Sequence, residues 1–406
     1  MSIFFHIDVN SAFLSWSAIR KLNNGSDIDL REIPSIIGGD TKTRHGIVLA
    51  KSIPAKKYGI STAEPIVSAL RKCPTLMIEP PDHAYYEEQS KLLMDYLREL
   101  SPRIEQVSID ECYMDFTPIA KDYPSPEIAA HMIKDEVKAR FGFTVNVGIS
   151  DRKVLAKMAS DFKKPDLVHT LYHNEIEKKM WPLPISSLYM CGKSSVDALK
   201  KLEILTIGDL AKADPSIIRL HLKSHGTLLY DYANGIDSSE VADTPSELKG
   251  IGNSTTLSKD AETFEEITPV LLRLAESVGR RLRAHDKCCM MLSVEIRYSD
   301  FTNVSHQTVL QAPTNSDDTI YKIACDLAKK LWNHRPVRLL GIRTSKLTET
   351  TEPTQLNLFT MNAETTDERH RKLDAALDLI KEKYGDNAVM RASRIQGPCD
   401  DVKESD

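Results

Sequence analysis

A chain of 406 residues exceeds what one ordinary core organises, and 41% hydrophobic with 27% charged residues suits two to four globular domains. Met1 leads straight into Ile3-Phe4-Phe5-His6-Ile7 and no run of 18 apolar residues occurs, so neither secretion nor membrane spanning is expected. The formal charge of -5 is uneven: residues 248–347 carry 15 Lys/Arg against 11 Asp/Glu and 348–406 carry 8 against 13, which suits a module on a polyanion followed by a solvated tail.

The 7 cysteines form no C-x-x-C pair, which argues against a zinc site or a disulfide framework and for a reducing cytosol.

The first strand, from Ile3, ends at Asp8, and Val9 to Phe13 turn into a helical stretch, Leu14 to Ile19. Asp8 there reads either as a turn or cap acid, or as a metal ligand beside free backbone N–H groups. From Pro34 to Pro80 the segments are short, and glycines with Lys42, Arg44, Lys51, Lys56 and Lys57 make a small basic subdomain. It reads equally as a cover for a triphosphate and as a solvated basic face.

A core-packed helix is predicted over His83–Leu100 from Tyr86, Leu93, Tyr96, Leu97 and Leu100. Two apolar runs follow, Ile104 to Val107 and Cys112 to Phe116, with Ser108-Ile109-Asp110-Glu111 between them. Read as a hairpin, this puts Asp110 and Glu111 at its tip. Adjacent carboxylates repel, so a divalent cation is the natural counter-charge. A helix over about 127–140 and a strand Phe143 to Ile149 complete a split βαβ arrangement, with Asp8 and the acidic tip on adjacent central strands.

Asp151 to Phe162 reads as a further helix. Lys164 before Pro165 is either a surface lysine or an ammonium held in extended geometry. Short helical pieces fill 171–237, where the turn Cys191-Gly192-Lys193 suits a DNA phosphate or an ordinary helix start. After a polar linker, strand, helix, two strands, helix and strand over 251–346 give a second four-stranded module. Its Leu292 to Arg297 alternates apolar and polar, so one face is covered and the other open, where Arg297, Arg338, Arg343 and Lys346 can meet phosphates. The tail holds an apolar cluster, Gln355-Leu356-Asn357-Leu358-Phe359, explained best as a docking peptide. Leu373, Ala376, Leu377 and Ile380 have helical spacing and either pack back or form a marginal helix.

Several of these stretches together resemble the Y-family translesion DNA polymerases of the DinB (polymerase IV-like) and UmuC group. They are His6 to Asn10 with Phe13, Lys56 to Ile60, Val107 to Tyr113, and Val147 to Ser150 with Lys153, Lys157 and Lys164-Pro165, in the family's order over residues 1–347. The resemblance implies an α+β right-hand polymerase: a ferredoxin-like palm (1–10 and 81–170), fingers (11–80), a helical thumb (171–238), a linker (239–247), a four-stranded little finger (248–347) and a tail with the clamp peptide.

It implies a cytoplasmic monomer that takes primer-template DNA and dNTPs and is recruited by the replication sliding clamp. Asp8, Asp110 and Glu111, with the Val9 carbonyl, would hold two Mg2+ ions for phosphoryl transfer. Lys164 and Lys56 would meet the triphosphate, Phe13 would exclude a ribose 2′-hydroxyl, and Gly192, Arg297, Arg338 and Arg343 would contact DNA. Gln355, Leu356, Leu358 and Phe359 would seat on the clamp. The sequence departs from the family at Ile53, where many relatives have Tyr, at Lys56, where many have Arg, and at Met190, where the usual motif has Gly. The rival readings are a catalytically silent DNA-binding scaffold of this fold and another two-metal palm enzyme such as a nucleotidyl cyclase.

Overall fold

The computed structural model of the chain describes residues 2–39, 46–242, 247–350, 361–385 and 388–389, the side chains of 361–370 excepted. The expected clamp peptide 355–359, Lys42, Arg44 and part of the linker lie outside these residues. The chain divides into two compact units at about residue 245.

In the first unit the strands β1 (Phe4–Val9), β5 (Ile104–Gln106), β6 (Glu111–Asp115), β7 (Val145–Ser150) and β8 (Val168–Thr170) form a sheet in the order β5-β6-β1-β7-β8. Alternation decides its faces. Phe5, Ile7 and Val9 of β1 join Cys112, Met114, Val145, Val147 and Ile149 in one core. Helices α1 (Ala12–Asn23), α4 (His83–Leu100) and α5 (Pro126–Phe141) supply the rest through Trp16, Leu93, Leu97, Ile133 and Val137. Local chemistry sets the helix ends: Asp82 caps α4, Ser125 caps α5 with Pro126 following, and Gly142 ends α5 at φ 76°. The strand β8, three half-buried residues parallel to β7, extends the four strands expected from sequence.

The opposite face is covered by α6 (Lys153–Ser160), shorter than expected. Gly148 of β7 permits this: a Cβ there would lie 2.0 Å from the Ala156 carbonyl oxygen and 2.5 Å from the Ser160 nitrogen. Those are backbone atoms with nowhere to retreat. Gly148→Ala is therefore expected to cost about 3 kcal/mol in urea unfolding; an unchanged midpoint would contradict the close seating of α6. Every residue of α6 except Lys157 is buried.

A small sheet, β3-β2-β4, is built from β2 (Ser35–Gly38), β3 (Val48–Lys51) and β4 (Met77–Glu79) and packs with α2 (Ile53–Lys57) and α3 (Ile66–Lys72). The helical region holds α7 (Ile176–Lys179), α8 (Lys193–Lys200), α9 (Ile207–Lys212) and α10 (Pro215–Ala233). The span α10 holds the two helices expected in this stretch, separated by a non-helical break at Lys223, where φ is 56°. Val154, Leu155, Met158 and Ala159 of α6 sit in the core of this region with Leu199, Ile207 and Leu229.

The second unit is an antiparallel sheet, β11-β10-β12-β9, made of β9 (Gly252–Ala261), β10 (Lys287–Tyr298), β11 (Asn303–Thr314) and β12 (Val337–Glu349). Helices α11 (Phe264–Ala284) and α12 (Asp317–Leu331) cover one face, where Leu292, Val294, Ile296, Leu340 and Ile342 meet Ile267, Leu271, Val278, Ile320 and Ala324. A further helix, α13 (Met361–Tyr384), touches α11 and α12.

Candidate active site

The sheet brings two of the three expected acids together. Asp8 pairs with Glu111 across β1 and β6, and the Val9 N–H donates to the Asp110 carbonyl at 2.9 Å, tying the hairpin turn to the end of β1. Sequence reasoning put both hairpin acids at the tip; the structure leaves Asp110 in the turn and makes Glu111 the first residue of β6. The Asp110 carboxylate accepts from the Ser108 hydroxyl at 2.7 Å.

Two lysines neutralise the other carboxylates. Lys157 of α6 places its ammonium 2.5 Å from Glu111 Oε2 and 3.9 Å from Asp8 Oδ1. Lys164 lies 2.6 Å from Asp8 Oδ2 and 2.9 Å from Asp161 Oδ1. The Lys164 loop is pinned by two asparagines that the sequence reading passed over. Asn146, opposite Asp8 on β7, donates to the Lys163 carbonyl at 2.7 Å, and Asn10 Oδ1 accepts the Asp166 N–H at 2.9 Å.

His6 was also missed as a site residue, since a histidine inside an apolar strand reads as core. It is buried beneath Glu111, with Nε2 3.3 Å from Oε2 and Nδ1 2.8 Å from the Ser160 hydroxyl. His6, with Lys157 acting in the same direction, outweighs burial and brings the Glu111 carboxyl down to about 2. Burial pushes Asp8 up, although Lys164 and Lys157 oppose it. Burial would pull both lysines down, yet their acidic partners prevail and raise them.

Among the described residues no three His, Cys, Asp or Glu side chains converge as a ready metal cage. The donor set nevertheless fits a hard cation. Two ammonium groups already sit on the Asp8 and Glu111 oxygens, so positive charge is held there, and carboxylate oxygens are the ligands Mg2+ prefers.

Phe13, in the first turn of α1, is half-buried and stacks on Tyr86 at a centroid distance of 4.5 Å and 12°. His83 packs edge-on to it at 5.9 Å. Lys56 is exposed on α2, whose cap is Ser52. Gly192 is the N-cap of α8 and leaves its first turn without a side-chain cap. Met190 holds the left-handed backbone, φ 66°, that its missing glycine would suit.

On the second unit Arg297 and Arg343 lie on the open face, among Ser293, Glu295, Asn303, Ser305 and Gln307 by strand register. Arg338 does not join them. The register slips between Val337 and Leu339, and the Arg338 guanidinium goes to Asp260 at 3.3 Å and over the Phe301 ring at 4.7 Å.

This two-unit fold is that of the Y-family DNA polymerases: one such enzyme, a chimera, superposes with a TM-score of 0.75 over 86% of this chain and 99% of its own, at 22% identity. The impB/mucB/samB family model matches residues 7–161 and that family's C-terminal domain matches 248–358. A protein of Clostridium acetobutylicum named DNA polymerase IV is 48% identical over 97% of this chain and 98% of its own length. One of the same name from Alkaliphilus oremlandii is 36% identical over 97% and 99%, and DNA polymerase IV 1 of Bacillus subtilis is 35% identical over 97% and 93%. The chain belongs to the impB/mucB/samB family, the DinB-like Y-family DNA polymerases. Among the described residues no helix is long and apolar enough to cross a membrane.

Proposed function

We propose that this DNA-directed DNA polymerase, which copies damaged or distorted templates, carries out nucleotidyl transfer at Asp8, Asp110 and Glu111. The observation that carries the reading is the β1–β6 register, which sets Asp8 against Glu111 and bonds Val9 to the Asp110 carbonyl. The three acids, with the Val9 carbonyl, hold two Mg2+ ions. When bound, these supply activation of the primer 3′-hydroxyl and neutralisation of the triphosphate.

The chain's own groups position and screen charge. Lys157 and Lys164 trade their carboxylate partners for phosphate oxygens as the nucleotide arrives, and Lys56 adds a third cation from α2. Phe13, held by Tyr86, walls the sugar. Gly192 at the start of α8 and Arg297 and Arg343 on the open sheet take DNA phosphates. The hydroxyl and amide groups around that arginine pair suit backbone contact without base reading.

The palm is assigned to 1–10 and 81–170, the fingers to 11–80, the thumb to 171–238 and the little finger to 248–347. The protein is read as a cytoplasmic monomer.

Primer extension with Mg2+ on undamaged and abasic templates tests the reading, with incorporation expected on both. A chain that binds primer-template but adds no nucleotide would overturn it. Gln355, Leu356, Leu358 and Phe359 recruit the sliding clamp in this reading. Replacing Leu358 and Phe359 with alanine is expected to weaken clamp binding by at least roughly 100-fold, given about 1.5–3 kcal/mol for each buried apolar anchor. Clamp-free synthesis should stay unchanged, and equal clamp affinity would count against the peptide.

A further inference from the structure

Helix α13 turns its charged side inward. Asp374 is 1% exposed, whereas Leu373, Leu379 and Tyr384 are 56%, 67% and 67% exposed. Among the described residues, none of its apolar side chains belongs to the hydrophobic core of the second unit. Charge seats it instead. Arg283 of α11 donates from Nε and Nη2 to the two Asp378 oxygens at 2.6 and 3.1 Å. Its Nη1 donates to Asp317 Oδ1 at 2.8 Å and to the Asn315 carbonyl at 2.7 Å.

Asp374 lies 3.7 Å from the same guanidinium and accepts the Asp317 N–H at 2.9 Å, in the first turn of α12, where Ser316 gives no side-chain cap. Lys381 approaches Glu276 at 3.8 Å, and Arg371 donates to the Pro313 carbonyl at 2.6 Å. Gly279 leaves room for the cluster, since a Cβ there would lie 2.1 Å from Asp317 Oδ1 and 3.1 Å from Arg283 Nη1.

Burial of apolar surface drives most docking of one element on another, and α13 makes little use of it. Buried ion pairs roughly cancel their own desolvation, so they specify an orientation more than they add net stability. The helix also lies beyond residues 248–358, the extent of the family's C-terminal domain.

We propose that α13 is a detachable latch, held on α11 and α12 by the Arg283–Asp378–Asp374 cluster and released as a unit while the core of the domain stays folded. Release frees the Nε and Nη2 edge of Arg283 and the Asp317 N–H, while Arg283 Nη1 keeps Asp317 Oδ1 and the Asn315 carbonyl.

Two neighbouring residues give a matched test in the full chain. Asp378→Asn removes one arm of the inward cluster, and Leu379→Ser alters the outward apolar face. Hydrogen exchange is expected to show α13 amides faster than those of β10 and β12 in the native protein. In Asp378→Asn they should speed up at least about tenfold with both strands unchanged, and Leu379→Ser should leave α13 as it was. Three results would overturn the latch: unchanged α13 exchange in Asp378→Asn, acceleration of α13 and the strands together, or release by Leu379→Ser equal to that by Asp378→Asn.

Discussion

Asp8→Asn and Asp110→Asn, assayed by primer extension, are expected to slow nucleotide addition by roughly 10⁴-fold, the scale of several kcal/mol of lost transition-state charge stabilisation. Asparagine keeps the volume and removes the charge. At Asp8 the variant also relieves a buried carboxylate of its desolvation, so folding should hold. At Asp110 the Ser108 hydroxyl still finds an oxygen acceptor, and the turn remains tied to β1 through the Asp110 backbone carbonyl. DNA affinity should stay within about twofold of the native protein, because the residues proposed to take DNA phosphates lie on other elements. Either variant retaining more than a tenth of the native rate would remove that acid from the reaction.

Phe13→Ala should admit ribonucleotides, lowering the preference for deoxyribose by roughly 100-fold, the scale on which a packed wall rejects an added hydroxyl. The prediction rests on rigidity. Tyr86 supports one face of the ring, and the Tyr86 hydroxyl is itself fixed 2.6 Å from Ser17 Oγ, so Phe13 cannot swing back from an intruding oxygen. Phe13→Leu keeps much of the packing and should fall between the two. Sugar discrimination unchanged in both variants, measured as the ratio of kcat/KM for dNTP and rNTP, would reject the role.

Much of this was legible in the chain. The helix His83–Leu100 has its expected ends because Asp82 and a clean apolar stripe define it, and the alternation of Leu292 to Arg297 correctly sorted the faces of β10. The acidic hairpin and Asp8 were found from charge and spacing, although Asp110 and Glu111 fall in different kinds of backbone.

The omissions have physical causes. Three half-buried residues carry too little periodicity to announce β8. Arg338 and Arg343 are five residues apart, so the alternation that sets Arg343 on the open face sets Arg338 on the other, and at the break in register its guanidinium goes to Asp260. His6, Asn10 and Asn146 act through partners remote in sequence, and no local pattern reports such contacts. In α13 the apolar spacing was real but the covered face is rotated from it: Asp374, Asp378 and Lys381 share that face with half-buried Leu377, while Leu373 and Ile380 are exposed. Periodicity tells which residues share a side, and a guanidinium among carboxylates decided which side was buried.

Helix α6 carries a consequence for any search for damaging substitutions. Its flanks belong to different cores, Val154 and Leu155 to the helical region and Ala156 to the packing against Phe4 and Tyr113. Lys157 is thus a short arm on a wall that two rooms share. Leu199 and Ile207 share a core with one flank of α6 only, so a methyl group lost at either is expected to show first in kinetics, while the melting curve is still nearly normal.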